Sequence, residues 1–176
     1  MNLPRFGYIC FWAFTFSSLG VWASPLAISS PAFDRGKPIP VKFVLSGENV
    51  SPELHISNVP ANAQSLVLIV DDPDAPVGLW THWLVWNLPA NTATIPEGNL
   101  PQQALQGENS NGHDTYDGPA PPAGTGVHRY FFHLMALDTT LSLPAGASRA
   151  ALLKAMEGHV VGKAEMFGTY RYGQSD

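Results

Sequence analysis

Seven residues at positions 65–71, S-L-V-L-I-V-D, restrict this chain's fold more than any other stretch. The run is nearly all apolar, rich in β-branched side chains and short, which is the pattern of a strand covered on both faces. It stops at Asp72-Pro73-Asp74-Ala75-Pro76, where two prolines remove backbone donors and end any ladder. Two acids therefore sit at the mouth of a central strand. Residues 80–88 (W-T-H-W-L-V-W-N-L) read as a second long strand, with His82, Leu84 and Trp86 expected on one face and Thr81, Trp83, Val85 and Asn87 on the other.

A third long strand follows the Pro/Gly loop 118–126, with His128, Tyr130 and Phe132 on one face and Arg129, Phe131 and His133 on the other. Shorter strands are expected at 39–45 (Val41, Phe43 and Leu45 sharing a face), 54–59 and 164–172, and residues 24–38 show no clear period. Residues 90–117 form a long polar excursion, the kind of loop that is usually functional or mobile. One helix is expected over 148–158, capped by Ser148, ended by Gly158, with Leu152, Met156 and His159 on one face. Many strands to one helix, 13% charged residues, 16 glycines and 16 prolines indicate an all-β dominated fold. Without short hairpin signals between the central strands, a Greek-key β-sandwich with one or two short peripheral helices is expected over a meander.

The amino-terminal residues read differently. Arg5 precedes an apolar stretch from Phe6 to Trp22, and Val21-Trp22-Ala23 places small residues where a signal peptidase reads. Residues 1–23 are expected to be a signal peptide cleaved after Ala23, leaving a single domain at 24–176 that is secreted or periplasmic and not membrane-embedded. An uncleaved anchor is the rival, since the apolar stretch is marginally long enough to span a membrane. A lipoprotein reading through Cys10 is poor, because Ile9 before it is bulky and the cysteine lies inside the apolar core. Cys10, the only cysteine, leaves with the signal, so the mature chain makes no disulfide and uses no thiol chemistry. Losing Arg5 takes the net charge from −5 to −6, and with no basic cluster nucleic acid is excluded as a partner.

Residues able to do chemistry collect at the strand ends: Asp72 and Asp74, His82, and His128 with Tyr130. Histidine, tyrosine and the amides of a Gly-rich loop all donate to a phosphate-like anion. The carboxylates look unsuited to such a site, but a nearby carboxylate fixes a histidine's tautomer and favours its protonated form. The same residues also fit a core tyrosine and a hydrogen-bonded strand-end histidine. The sequence has neither G-x-S-x-G nor H-E-x-x-H, although Asp72, His82 and His128 are chemically able to hold a metal for hydrolysis.

D-P-D-A-P at 72–76, H-W-L-V-W-N at 82–87 and G-P-A-P-P-A-G-T-G-V-H-R-Y at 118–130 resemble the signatures of the phosphatidylethanolamine-binding protein (PEBP) family, also called Raf-kinase-inhibitor-like proteins, in its bacterial branch. The resemblance extends through S-P-E-L at 51–54, I-P-E-G at 95–98, A-M-E-G-H at 155–159 and A-E-M-F-G-T-Y at 164–170. It implies a Greek-key sandwich with a shallow pocket for phosphate, phosphoethanolamine or a similar anion. Asp72 and His82 would line one side, with Gly118, Ala120, Pro122, His128 and Tyr130 on the other. Asp74 and Asn87 would brace the loop and strand that support the pocket, and the Ala75–Pro76 bond would be cis. Ala120 stands where the family usually has glycine or, in bacteria, cysteine, and His55 replaces a tryptophan.

The resulting expectation is a non-enzymatic binding protein without cofactor or metal, able to modulate another protein and to form a homodimer. A protease or enzyme inhibitor acting through surface loops and a metal-assisted hydrolase are the alternatives.

Overall fold

A computed structural model describes residues 24–175; the expected signal peptide lies outside them. The run at 65–71 forms β3 (Ser65–Asp72), every residue of it buried, as its composition requires. It pairs on one side with β4 (Trp80–Pro89) and on the other with β7 (Val127–Leu137), both antiparallel. The sheet is completed by β6 (Leu105–Gln106) beside β4 and β8 (Val160–Arg171) beside β7, in the order β6-β4-β3-β7-β8. A smaller antiparallel sheet holds β1 (Ala27–Ser29), β2 (Leu54–Ser57) and β5 (Thr94–Ile95), in the order β1-β2-β5. Strand β7 returns from beyond β4 to pair with β3, so the sheet is no meander and the architecture is the expected sandwich.

The inner faces of the two sheets meet in the main core, where Ile28, Leu54 and Ile56 pack with Leu68, Val70, Trp83, Phe132 and Leu134. The one α-helix among the described residues, α1 (Arg149–Met156), covers part of the outer face of the larger sheet. Ser148 caps it by accepting from the Ala151 amide, and Leu152 and Met156 bury against Val67, Ile69 and Trp86. His159 lies past the helix end, exposed and paired with Asp138, so it does not share that apolar stripe.

Three expected elements differ. Residues 39–45 are not a strand: Val41–Phe43 form a 3-10 turn, because Pro38 and Pro40 deny the ladder its donors and the chain folds back at Gly47. A Cβ at Gly47 would sit 2.0 Å from the Val41 carbonyl oxygen, so only glycine permits that approach. A short strand, β1, lies in the stretch without clear period, and β8 begins at Val160 and not at 164.

Candidate functional site

A β-bulge builds the site. Between β3 and β4 the register passes from Val70 opposite Trp83 to Asp71 opposite Thr81, which leaves His82 as the extra residue on β4. Strict alternation would place His82 with Leu84 and Trp86, but those two pack on the outer face under α1, whereas His82 meets the inward-facing Tyr130 with ring centroids 5.1 Å apart. The bulge thus re-aims His82 from the outer face into a cavity at the end of the sandwich.

That cavity, about 290 Å³, is lined by all seven residues expected to bind ligand: Asp72, His82, Gly118, Ala120, Pro122, His128 and Tyr130. Leu45, Ala75, Pro76, Val77 and Trp80 add apolar wall, and no lysine or arginine lines it. Tertiary folding supplies these, since Leu45 and Trp80 carry no functional signature in the sequence. Gly118 is needed for close approach, because a Cβ there would lie 2.2 Å from the Phe43 carbonyl oxygen. Its amide is used by Asn49 Oδ1 at 2.8 Å. Since Pro119, Pro121 and Pro122 have no N–H, the Ala120 amide is the donor left in this segment, and its methyl lies at the exposed mouth.

Asp72, at the inner end of β3, accepts from His128 Nδ1 at 2.7 Å and from the Asp74 amide at 2.8 Å. Asp74 does not line the cavity; it binds the Arg129 guanidinium at 2.7 and 2.8 Å and the Arg129 amide at 3.0 Å, tying the 72–76 turn to β7. Those bonds hold the Asp74 carboxyl below the usual range. Asn87 lies at the opposite end of β4, where it exchanges hydrogen bonds with the Leu141 backbone, so it braces that strand and not the cavity. The Ala75–Pro76 bond is trans, correcting the expected cis form; the turn closes through the Gly78 amide donating to Ala75 O at 2.9 Å. His55 is exposed on β2, paired with Glu53, and takes no part in the cavity.

His82 Nδ1 donates to Asp117 O at 2.8 Å, which leaves Nε2 as the ring nitrogen facing the cavity without a protein partner among the described residues. Burial pushes the His82 pKa down despite that carbonyl and the Asp72 and Asp117 carboxylates. For this ring, desolvation overrides the expected protonation. Tyr130 is 1% exposed, and among the described residues its hydroxyl has no partner in ordinary hydrogen-bond geometry. Burial first, then the charge of the neighbouring Asp72 carboxylate and the hydroxyl's loose approach to it, push the phenol strongly upward, so it stays a neutral donor. Asp117 is braced by Asn111 Nδ2 at 2.6 Å and His113 at 2.9 Å, a network the sequence does not announce because its members meet only through the fold of the 109–117 loop. Among the described residues, no group of three His, Cys, Asp or Glu side chains is arranged to hold a metal ion.

The family model for phosphatidylethanolamine-binding protein matches residues 29–171. A UPF0098 protein of Methanothermobacter thermautotrophicus is 50% identical over 145 residues, which cover 80% of this chain and 94% of that protein. Among solved structures, the PEBP homologue CT736 of Chlamydia trachomatis matches with a TM-score of 0.79 and 43% identity, covering 84% of this chain and 97% of that one. YbcL of E. coli, described as a new member of the mammalian PEBP family, matches with a TM-score of 0.79 and 30% identity, covering 84% of this chain and 99% of its own. With the sandwich, the motif-bearing strand ends and the family model in agreement over nearly all the described residues, the chain belongs to the phosphatidylethanolamine-binding protein family.

Proposed function

We propose that this is an exported, non-enzymatic binding protein whose cavity takes a small phosphate-type anion such as phosphoethanolamine, and through it modulates another protein. The observation that carries the reading is the Tyr130 hydroxyl, buried without a partner beside the open Nε2 of His82. A buried donor left unpaired costs about 1–3 kcal/mol, a penalty that a ligand oxygen would relieve. With no cationic side chain in the lining, the anion is held by hydrogen bonds from Tyr130, from the Ala120 amide and from His82 once it takes up a proton. Asp72 on the same wall favours a ligand that brings a proton or an ammonium group, and the apolar walls accommodate its organic part. Export rests on the amino-terminal leader expected from the sequence; among the described residues no helix is long and apolar enough to cross a membrane.

The test is thermal shift with phosphate and with phosphoethanolamine. A ligand of the folded state raises the melting temperature by mass action. Both compounds should stabilise the wild type, and His82→Ala should abolish the shift. No shift in the wild type at ligand concentrations up to the millimolar range would overturn the reading.

A further inference from the structure

A second cavity, of about 380 Å³, opens between residues 49–51, Trp83 of β4 and the chain running from Gly98 to Gln106. It has the size of a small-molecule site, about 300–1,000 Å³. Tyr116 belongs to its wall and Gly118 to the wall of the first cavity, and the two cavities have no lining residue in common.

Among the described residues, no Asp, Glu, Lys, Arg or His side chain lines this second cavity. An ion taken out of water without a counter-charge is costly, so the lining favours a neutral occupant. In place of charges the wall holds three carboxamides, all fixed the same way round. Asn49 Oδ1 accepts from the Gly118 amide at 2.8 Å, Asn99 Oδ1 from the Leu100 amide at 2.9 Å, and Gln106 Oε1 from the Trp83 indole at 2.6 Å. The protein thus occupies each oxygen and leaves three NH2 groups, which only donate, without a partner among the described residues.

Ser51 is the observation that points to a ligand. It is 4% exposed and stands in the wall, yet its hydroxyl makes no hydrogen bond among the described residues. Ser65, which is 1% exposed in the packed interior, instead donates to Thr139 O at 2.5 Å. The Tyr116 hydroxyl gives its proton to Phe43 O at 2.9 Å and keeps acceptor capacity. Fixed donors therefore stand beside hydroxyls that accept or do both, next to the apolar Val50, Leu100 and Pro101. A compact ring of hydroxyl groups with a C–H face matches this array. A compound bearing only carbonyls would use the NH2 groups and leave the acceptors idle.

We propose that this cavity is a second ligand site, for a small neutral polyhydroxyl compound of the monosaccharide class, held by the NH2 groups of Asn49, Asn99 and Gln106 and by the Ser51 hydroxyl. It does not rest on the anion-binding reading above.

The experiment titrates glucose, galactose, mannose and N-acetylglucosamine separately into the protein, each up to about 10 mM, and follows the side-chain NH2 signals of Asn49, Asn99 and Gln106 by NMR. At least one sugar should shift all three saturably while the backbone amides of Ala120 and Tyr130, at the first cavity, stay still. Ser51→Ala should weaken that sugar about fivefold, the size of one neutral hydrogen bond. Its urea midpoint should be unchanged or higher, because the hydroxyl has no partner to lose. No saturable shift with any of the four sugars, shifts confined to the first cavity, or equal affinity in Ser51→Ala would overturn the proposal. So would the same NH2 groups responding to sulfate and to none of the sugars, which would make this an anion site. Phosphoethanolamine should move the Ala120 and Tyr130 amides alone, and its failure to bind there would overturn only the anion reading.

Discussion

Asp71 and Asp72 are adjacent on β3 and equally buried, at 2% and 3% exposure, yet they face opposite sides of the sheet and have different tasks. Asp71 points outward into a closed network: Thr81 Oγ1 donates to it at 2.7 Å and Arg149 Nη2 at 2.8 Å. Asp72 points inward and is itself satisfied by His128 and the Asp74 amide, but the groups around it are not. Tyr130 lacks a partner and His82 presents an open nitrogen. A carboxylate with fully paired neighbours acts as a tie between β3, β4 and α1. The same residue one position later forms the wall of an unfinished polar cluster, which is what a ligand can complete.

The sharpest way to break this contrast is at Asp71. Asp71→Ala should destabilise the protein by about 3 kcal/mol, with Arg149 partly free to turn to water, and lower the melting temperature by roughly 6–12 °C. Phosphoethanolamine affinity should stay within about twofold. Urea unfolding and calorimetry on the same sample check both parts, and a selective loss of binding would erase the distinction between the two acids. Tyr130→Phe should do the reverse. Removing an unpaired buried hydroxyl should leave the free protein as stable or raise its stability by about 1 kcal/mol, seen as a higher urea midpoint.

A smaller effect is set by pH. Because the folded His82 pKa lies below its ordinary value of 6.5, the unfolded chain takes up this proton first as pH falls. The free protein should therefore lose stability from about pH 6.5 downward until the folded ring also protonates, and saturating phosphoethanolamine should flatten that slope in thermal melts. The smallest effect belongs to Asp74, whose Arg129 pair is partly exposed. Asp74→Asn should cost no more than about 0.5 kcal/mol near neutral pH. The contribution is present above the ordinary carboxylate range and lost as pH falls through the lowered folded value, so wild type and variant melts should converge in acid.

The parts of the fold governed by local pattern were legible in the sequence. The unbroken apolar run of β3 and the alternation of His128, Tyr130 and Phe132 against Arg129, Phe131 and His133 both translate directly into burial. The spacing of Val41, Phe43 and Leu45 misleads, because two prolines outweigh a period of two. His82 shows the same limit at the site. Its identity marks it as a candidate, but only the bulge, a property of two strands in register, turns it toward Tyr130. The bracing of Asp117 by Asn111 and His113 and the apolar contribution of Leu45 are likewise products of tertiary contact and leave no trace in spacing.

The proposed function requires that a phosphate-type anion complete the cluster beside Asp72. Its most direct test is calorimetric titration of phosphoethanolamine at pH 6 into the wild-type protein and into Tyr130→Phe. Saturable binding at one site is expected in the wild type, with proton uptake seen as a dependence of the heat on the buffer's ionisation enthalpy, and about tenfold weaker binding in the variant. No saturable heat in the wild type, or equal affinity in the two proteins, would contradict it.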